Sequence, residues 1–304
     1  MLFRSELSII YITMKLQEYL VKALLKEKGL PVPRGGMAYD PESVLRIAIQ
    51  LGGSVALKPQ GVDTPNRKVV LSHNIHELNE WSTQIFSPEF EAHQVKQVLV
   101  EEKVQNLREE FYLSFFVDQH LKQNQMILFK KDATPTRDKL LSRDGVFQMP
   151  IHPLRGFTEA NLDDLDHFLE GSDERVGFIE LIQKVYKCYL KQDLIALEVT
   201  SVGLTLTGWT LLSAQAVLDE HAFDRHEKLV KKVEGHEWDD LKKEAKSSRF
   251  KFGRSKGNVG VICNGRGLAM TTMDALEKYQ GDMAKYVAVQ GGAAALDMHR
   301  AISI

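Results

Sequence analysis

The stretch Asn258-Val-Gly-Val-Ile-Cys-Asn-Gly-Arg-Gly-Leu-Ala-Met270 constrains this chain more than any other. An apolar run from Val259 to Cys263 meets Asn264-Gly-Arg-Gly267 at once, and the residues that follow, to Gly281, have helical spacing. The pattern predicts a strand, a tight turn and a helix. Glycines at 265 and 267 let another group approach the open N–H groups at the helix start, so an anion is the natural guest. The glycines also meet a loose G-x-G pattern, but a dinucleotide fingerprint needs a third small residue where Met270 stands. A plain strand-to-helix joint with no ligand is the alternative.

Length and charge narrow the class. A chain of 304 residues has room for two domains, and 43% hydrophobic with 26% charged residues is the composition of a globular protein in water. A formal net charge of -2 exerts no general pull on nucleic acid or anionic membrane. No nucleic-acid or membrane partner is therefore expected, and no stretch reaches transmembrane length. Cys188 and Cys263 lack metal-like spacing and read as buried thiols in a reducing, cytoplasmic setting. The apolar run Leu7 to Ile12 is too short for an export signal, and because a strongly amphipathic helix is expected to open at Met14, residues 1–13 are expected to lie outside the fold.

Taken in order, Leu16, Tyr19, Leu20, Ala23 and Leu24 share a helical face, predicting a helix of about fifteen residues from Met14. Asp40-Pro-Glu42 supplies a cap, a first-turn proline and a first-turn acid for a second helix ending at Gly52-Gly53. Ser54 to Gln60 is a short strand carrying one cation, Lys58. Strands follow at 69–71, 97–102, 110–118 and 125–129, the last two an antiparallel pair, with a helix at 76–86. Helical spacing returns at 158–171 and 176–191, and strands are predicted at 194–199, 204–206 and 209–212. Residues 224–251 mix Lys with Glu and Asp at short spacing, which describes a solvated helix face rather than a nucleic-acid surface. Arg254-Ser-Lys-Gly257 reads as an exposed crossing.

Several of these pieces occur together in one family. Met14-Lys-Leu-Gln-Glu-Tyr19, Lys28-Gly-Leu-Pro-Val-Pro33, Leu99-Val-Glu101, Glu110-Phe-Tyr-Leu113, Asp193-Leu-Ile-Ala-Leu-Glu198 and Gly257 through Asp274 resemble, in order, the beta subunit of succinyl-CoA synthetase and related acid-CoA ligases. The resemblance runs from Met14 to about Gly292. It implies an α/β chain: an α+β ATP-grasp domain over 14–245, then a truncated flavodoxin-like unit over 246–304. The implied cofactors are ATP/ADP or GTP/GDP with Mg²⁺. The implied partner is an alpha-like subunit carrying the phosphorylated histidine, in a hetero-oligomer of the tricarboxylic acid cycle.

Carried over position by position, Lys58 matches the lysine on the nucleotide phosphates, Glu101 the residue beside base and sugar, and Glu110 a second nucleotide-contacting acid. Asn264 matches the residue near the carboxylic acid. Gly265 and Gly267 match the loop facing the phosphohistidine, and Arg266 replaces a small residue.

The departures fall on the phosphates and the metal. The family's glycine-rich phosphate loop is here the shorter Gly61-Val-Asp-Thr-Pro-Asn-Arg-Lys68, where Pro65 removes an N–H donor. The family's Mg²⁺ ligands, an asparagine after Glu198 and an aspartate one strand later, are replaced by Thr200 and Ser213. Two neutral hydroxyls beside Glu198 supply little charge for Mg²⁺. Phosphoryl transfer rests on these parts. The expected function is a beta-like component of a nucleotide-dependent acid-CoA ligase with impaired or lost Mg-nucleotide chemistry. The alternative is a pseudoenzyme that keeps the ATP-grasp fold as a scaffold docking an alpha-like subunit. An unrelated dinucleotide oxidoreductase fits least, because no acid stands at a strand end where that fold needs one.

Overall fold

A computed structural model describes residues 14–61, 69–87, 90, 95–118, 121–131, 145–237, 250–254, 257–279, 281–289 and 291–303. The described residues divide into a unit within Lys15–Asp219 and a second unit within Glu220–Ile304. The expected extension over 1–13 and most of the shortened loop after Gly61 lie outside the described residues.

In the larger unit the elements are β1 (Met14–Leu16), α1 (Glu18–Glu27), β2 (Gly35–Ala38), α2 (Pro41–Gln50), β3 (Val55–Gln60), β4 (Val70–Ser72), α3 (Ile75–Ile85) and β5 (Gln97–Glu102). They continue as β6 (Glu109–Asp118), β7 (Gln123–Lys130), β8 (Val146–Ile151), α4 (Glu159–Phe168), α5 (Arg175–Lys191), β9 (Leu194–Thr205) and β10 (Gly208–Leu218).

Two antiparallel sheets result. The smaller has the order β2-β5-β3-β4. Alternation along β3 and β5 puts Val55, Leu57, Val98 and Val100 on one face, where they join Val44, Ala48, Leu78 and Ile85 from α2 and α3 in a dry core. α2 starts as its sequence predicts, with the Asp40 carboxylate accepting from the Ser43 N–H in a capping box. The opposite face carries Ala56, Lys58, Gln60, Gln97, Leu99 and Glu101, and these are buried too. A strand buried on both faces that carries a lysine must supply partners for it.

The larger sheet has the order β1-β10-β9-β6-β7-β8. Phe111, Leu113 and Phe115 alternate on its core face with Val199 and Leu197, under a helix α5 that buries Phe178, Ile182, Val185 and Tyr189. Phe178 stacks on Trp209 with ring centroids 4.0 Å apart.

Three expectations need correction here. Met14–Leu16 is a strand, and α1 begins only at Glu18, because Gln17 is extended. The buried face of α1 is Leu20, Val21, Lys22 and Leu25, whereas Ala23 is exposed. Apolar spacing placed the face elsewhere because it counts a lysine as solvent-facing. The short strands expected at 194–199, 204–206 and 209–212 are two long ones, β9 and β10, joined as a hairpin with Gly208 at φ +116°. Strand β8 had no sequence signal strong enough to predict it.

In the smaller unit a 3-10 turn at Glu220–Arg225 leads to α6 (Glu227–Glu237), β11 (Lys251–Arg254), β12 (Val259–Asn264), α7 (Arg266–Lys278), β13 (Met283–Val289) and α8 (Ala295–Ser303). The charge-dense stretch is therefore helical over 227–237, its end at 251 is a strand, and 238–249 lie outside the described residues. β12 and β13 are parallel, and β11 adds antiparallel to β13, so the sheet has three strands in the order β11-β13-β12. Val261, Cys263, Ala269, Met273, Tyr286 and Ala288 form its core. Among the described residues no helix is long and apolar enough to cross a membrane.

Candidate functional site

Lys58 and Glu101, assigned separately from sequence, meet on the inner face of the small sheet. Antiparallel register sets Ala56 opposite Glu101 and Lys58 opposite Leu99, which makes Lys58 and Glu101 diagonal neighbours. The Lys58 Nζ donates to Glu18 Oε1 at 2.8 Å and to the Leu212 carbonyl at 2.6 Å, and lies 2.8 Å from Glu101 Oε2. Lys22, one helical turn after Glu18, lies 2.5 Å from the same Glu101 oxygen and 3.3 Å from Glu18, and donates to the same Leu212 carbonyl at 2.6 Å. Two ammonium groups and two carboxylates thus form one neutral, buried quartet.

The Leu212 carbonyl is available because β10 is irregular there. Leu211 pairs with Val202 and Ser213 with Ser201, leaving Leu212 as the extra residue of a bulge. A bulge takes a residue out of the ladder and turns its backbone groups elsewhere. In this chain they turn to two lysines.

The quartet shifts its own titration. Burial, and then the neighbouring Lys58 charge, lower Lys22 to about 8, against the pull of Glu101 and Glu18. Burial would lower Lys58 as well, but Glu18 and Glu101 outweigh it and hold Lys58 above its ordinary value.

The other predicted residues sit on the larger sheet. Glu110 is not in the quartet. Its Oε1 accepts from Lys131 at 2.8 Å and from the Ser201 hydroxyl at 2.7 Å, bonds that outweigh partial burial and lower its pKa. Glu198 accepts from the Tyr112 hydroxyl at 2.9 Å, and the Tyr112 ring stacks on Phe129 with centroids 4.5 Å apart. Burial, and then the Glu198 charge, push the Tyr112 phenol up, so it stays a donor. Thr200 falls where the β6–β9 register shifts, between the pairs Phe111–Val202 and Leu113–Val199, and Ser213 sits at the β10 bulge.

These residues do not make a good Mg²⁺ site. Mg²⁺ is held by carboxylates with substrate phosphates, whereas Thr200 and Ser213 offer neutral hydroxyls and Glu198 already bonds Tyr112. Among the described residues no group of three or more His, Cys, Asp or Glu could hold a metal ion.

The anion loop belongs to the smaller unit. β12 ends at an exposed Asn264, and Gly265 caps α7 at φ +97°, ψ 154°, with its N–H bonded to the Val289 carbonyl at 2.7 Å. A φ of that sign favours glycine, and open space surrounds the position a Cβ would take. Gly267 is exposed in the first turn and Arg266 opens the helix.

Sequence reasoning missed Glu18, Lys22, Leu212, Tyr112, Ser201 and Lys131. The one available signal was the i, i+4 pair Glu18 and Lys22 on a helix whose apolar face runs through Val21 and Leu25. The remaining partners come from other strands.

Comparison with known proteins agrees with this architecture. Residues 15–203 match the model of the ATP-grasp domain. The ADP-forming succinate–CoA ligase subunit beta of Ignicoccus hospitalis is 30% identical over 285 residues, covering 92% of this chain and 75% of that one. The same subunit of Trichlorobacter lovleyi is 30% identical over 294 residues, covering 92% of this chain and 76% of its own. The fold is shared with a Methanosaeta concilii ATP citrate lyase variant solved with (3S)-citryl-CoA, at 15% identity and a TM-score of 0.67 over 95% of this chain and 74% of that one. It is shared also with a dinucleotide-forming acetyl-coenzyme A synthetase of Korarchaeum cryptofilum, at 14% identity and a TM-score of 0.53 over 67% of this chain and 93% of that one. With a matched ATP-grasp domain and relatives at this identity over most of their length, the chain belongs to the family of succinate–CoA ligase beta subunits.

Proposed function

We propose that this chain is the beta-like component of a cytoplasmic acid-CoA ligase that binds adenine or guanine nucleotide weakly and has lost most of the contribution of Mg²⁺. The observation that carries the reading is the closed quartet, in which Lys58, matched to the nucleotide site, is bonded both to Glu101, the other residue so matched, and to Glu18. Glu110 and Glu198 are likewise engaged, by Lys131 with Ser201 and by Tyr112. On this reading Lys58, Glu101 and Glu110 line the nucleotide side, and an alpha-like subunit meets the loop Asn264-Gly-Arg-Gly267 in a hetero-oligomer. The ATP-grasp domain is taken over 14–245 and the CoA-ligase unit over 246–304.

Calorimetric titration with ADP and ATP, with and without Mg²⁺, tests it. Weak binding that Mg²⁺ changes less than about threefold is expected, since a charge-poor donor set adds little to the phosphates. Tight binding that requires Mg²⁺ overturns it. Complete silence toward nucleotide, together with co-purification of an alpha-like subunit, supports the scaffold reading instead.

A further inference from the structure

An ammonium group has three N–H donors and no more. Lys58 has three acceptors: Glu18 Oε1 at 2.8 Å, Glu101 Oε2 at 2.8 Å and the Leu212 carbonyl at 2.6 Å. A phosphate oxygen can reach this nitrogen only by displacing one of them.

The three are not equally displaceable. The Leu212 carbonyl is fixed by the β10 bulge and shared with Lys22. Glu101 is 4% exposed and bonded to both lysines, so its departure would strand a buried carboxylate. Glu18 is the outermost carboxylate, at 13% exposure against 11% for Lys58, and it sits at the first position of α1. The oxygen that bonds Lys58 also lies 3.3 Å from Lys22, so a second ammonium stands beside Glu18. The open end of the quartet is therefore the Glu18–Lys58 contact, and the Lys22–Glu101 contact is the sealed end.

We propose that Glu18 is an internal competitor for the anion site at Lys58, so that a nucleotide phosphate binds by exchanging places with the Glu18 carboxylate. The proposal rests on the nucleotide reading above and extends it by naming the group that weakens binding. Glu18 is not a catalytic residue. It holds Lys58 in a self-satisfied state, and any phosphate that enters must work against a carboxylate of the same sign beside it.

The test is titration of ADP, and separately of inorganic pyrophosphate, into the full chain without Mg²⁺. Wild type is compared with Glu18→Gln, with Glu18→Gln/Lys22→Met and with Glu18→Gln/Lys58→Met. The second variant keeps the buried charges balanced as one Lys58–Glu101 pair, and it decides the matter if Glu18→Gln alone loses its circular dichroism signal. Removing the competing charge should tighten ADP and pyrophosphate binding about tenfold or more, and Lys58→Met should abolish that gain. ADP affinity equal to or below that of wild type in both Lys58-containing variants overturns the exchange while leaving the nucleotide reading intact. If no variant binds ADP at millimolar concentration, the nucleotide reading itself fails and this inference falls with it.

Discussion

The Lys58 ammonium lies 2.8 Å from the carboxylate of Glu18, a residue forty positions earlier and on a different element. That contact places a helix-borne acid on the lysine that, by family resemblance, faces nucleotide phosphates. With Lys22, Glu101 and the Leu212 carbonyl it links α1, β3 and β5 through ion pairs, and β10 through hydrogen bonds to its backbone. Such a cluster is costly to open and costly to unbalance.

Stability should therefore depend on charge balance more than on any one bond. Lys22→Met leaves two buried carboxylates facing one lysine, and the expected loss is about 3–5 kcal/mol. Adding Glu101→Gln restores neutrality and should recover a good part of it. Urea denaturation of the single and double variants measures both, and a single-variant loss under about 1 kcal/mol would show that the quartet is not a coupled unit.

Lys22 also gives the fold a pH signature. Its pKa falls from 10.5 to about 8 on folding, so between those values the unfolded chain binds more protons and stability rises with pH. Lys58 shifts the other way, so its contribution is fully present below its unfolded value and is lost only as pH climbs through the higher folded one. Cys188, raised from 9 to about 11 by burial, opposes the trend above pH 9. The readout is thus the difference between wild type and Lys22→Met in thermal midpoint from pH 7.5 to 9.5, an interval that brackets the lowered Lys22 value of about 8. Wild type should gain on the variant as pH rises, and parallel profiles would contradict the shifted lysine.

On the proposed reading, metal dependence should appear when the donors are supplied. Thr200→Asn with Ser213→Asp puts an amide oxygen and a carboxylate at the positions matched to the family's Mg²⁺ ligands, and Tyr112→Phe would free Glu198 from its hydroxyl partner. Nucleotide titration of the triple variant should show about tenfold tighter binding with Mg²⁺ than without, in contrast to wild type. An unchanged ratio would mean that the register shifts in β9 and β10 hold these positions away from a common ion.

For the loop at the start of α7, Asn264→Ala removes an exposed side chain and should leave folding unchanged while weakening capture of an alpha-like subunit several-fold. Gly265→Ala acts through the backbone, since an alanine at φ +97° is strained, and should cost about 1 kcal/mol or more. Pull-down together with thermal unfolding separates the two effects. Undiminished capture by Asn264→Ala would remove this loop from the interface.

Much of the fold is legible locally. Asp40 with Pro41 marks the start of α2, the alternation around Phe111 marks β6, and the glycine at 265 marks the turn before α7, because each is set by the geometry of a few consecutive residues. The same local rules failed at Met14–Leu16, which pairs in a sheet, and at β11, whose partner β13 lies about thirty residues further on.

Of the site, the family resemblance of the sequence singled out Lys58, Glu101, Glu110, Glu198 and Asn264 as residues of interest, along with the neutral replacements at Thr200 and Ser213. It could not show that Lys58 and Glu101 are already each other's partners. That depends on the β3–β5 register, on the turn of α1 that buries Lys22, and on a single bulge that aims the Leu212 carbonyl inward. Local sequence determines which charges exist and which face of a strand they take. Only the packing of distant elements decides whether a buried charge waits for a ligand or is satisfied from within, because its partners come from elsewhere in the chain.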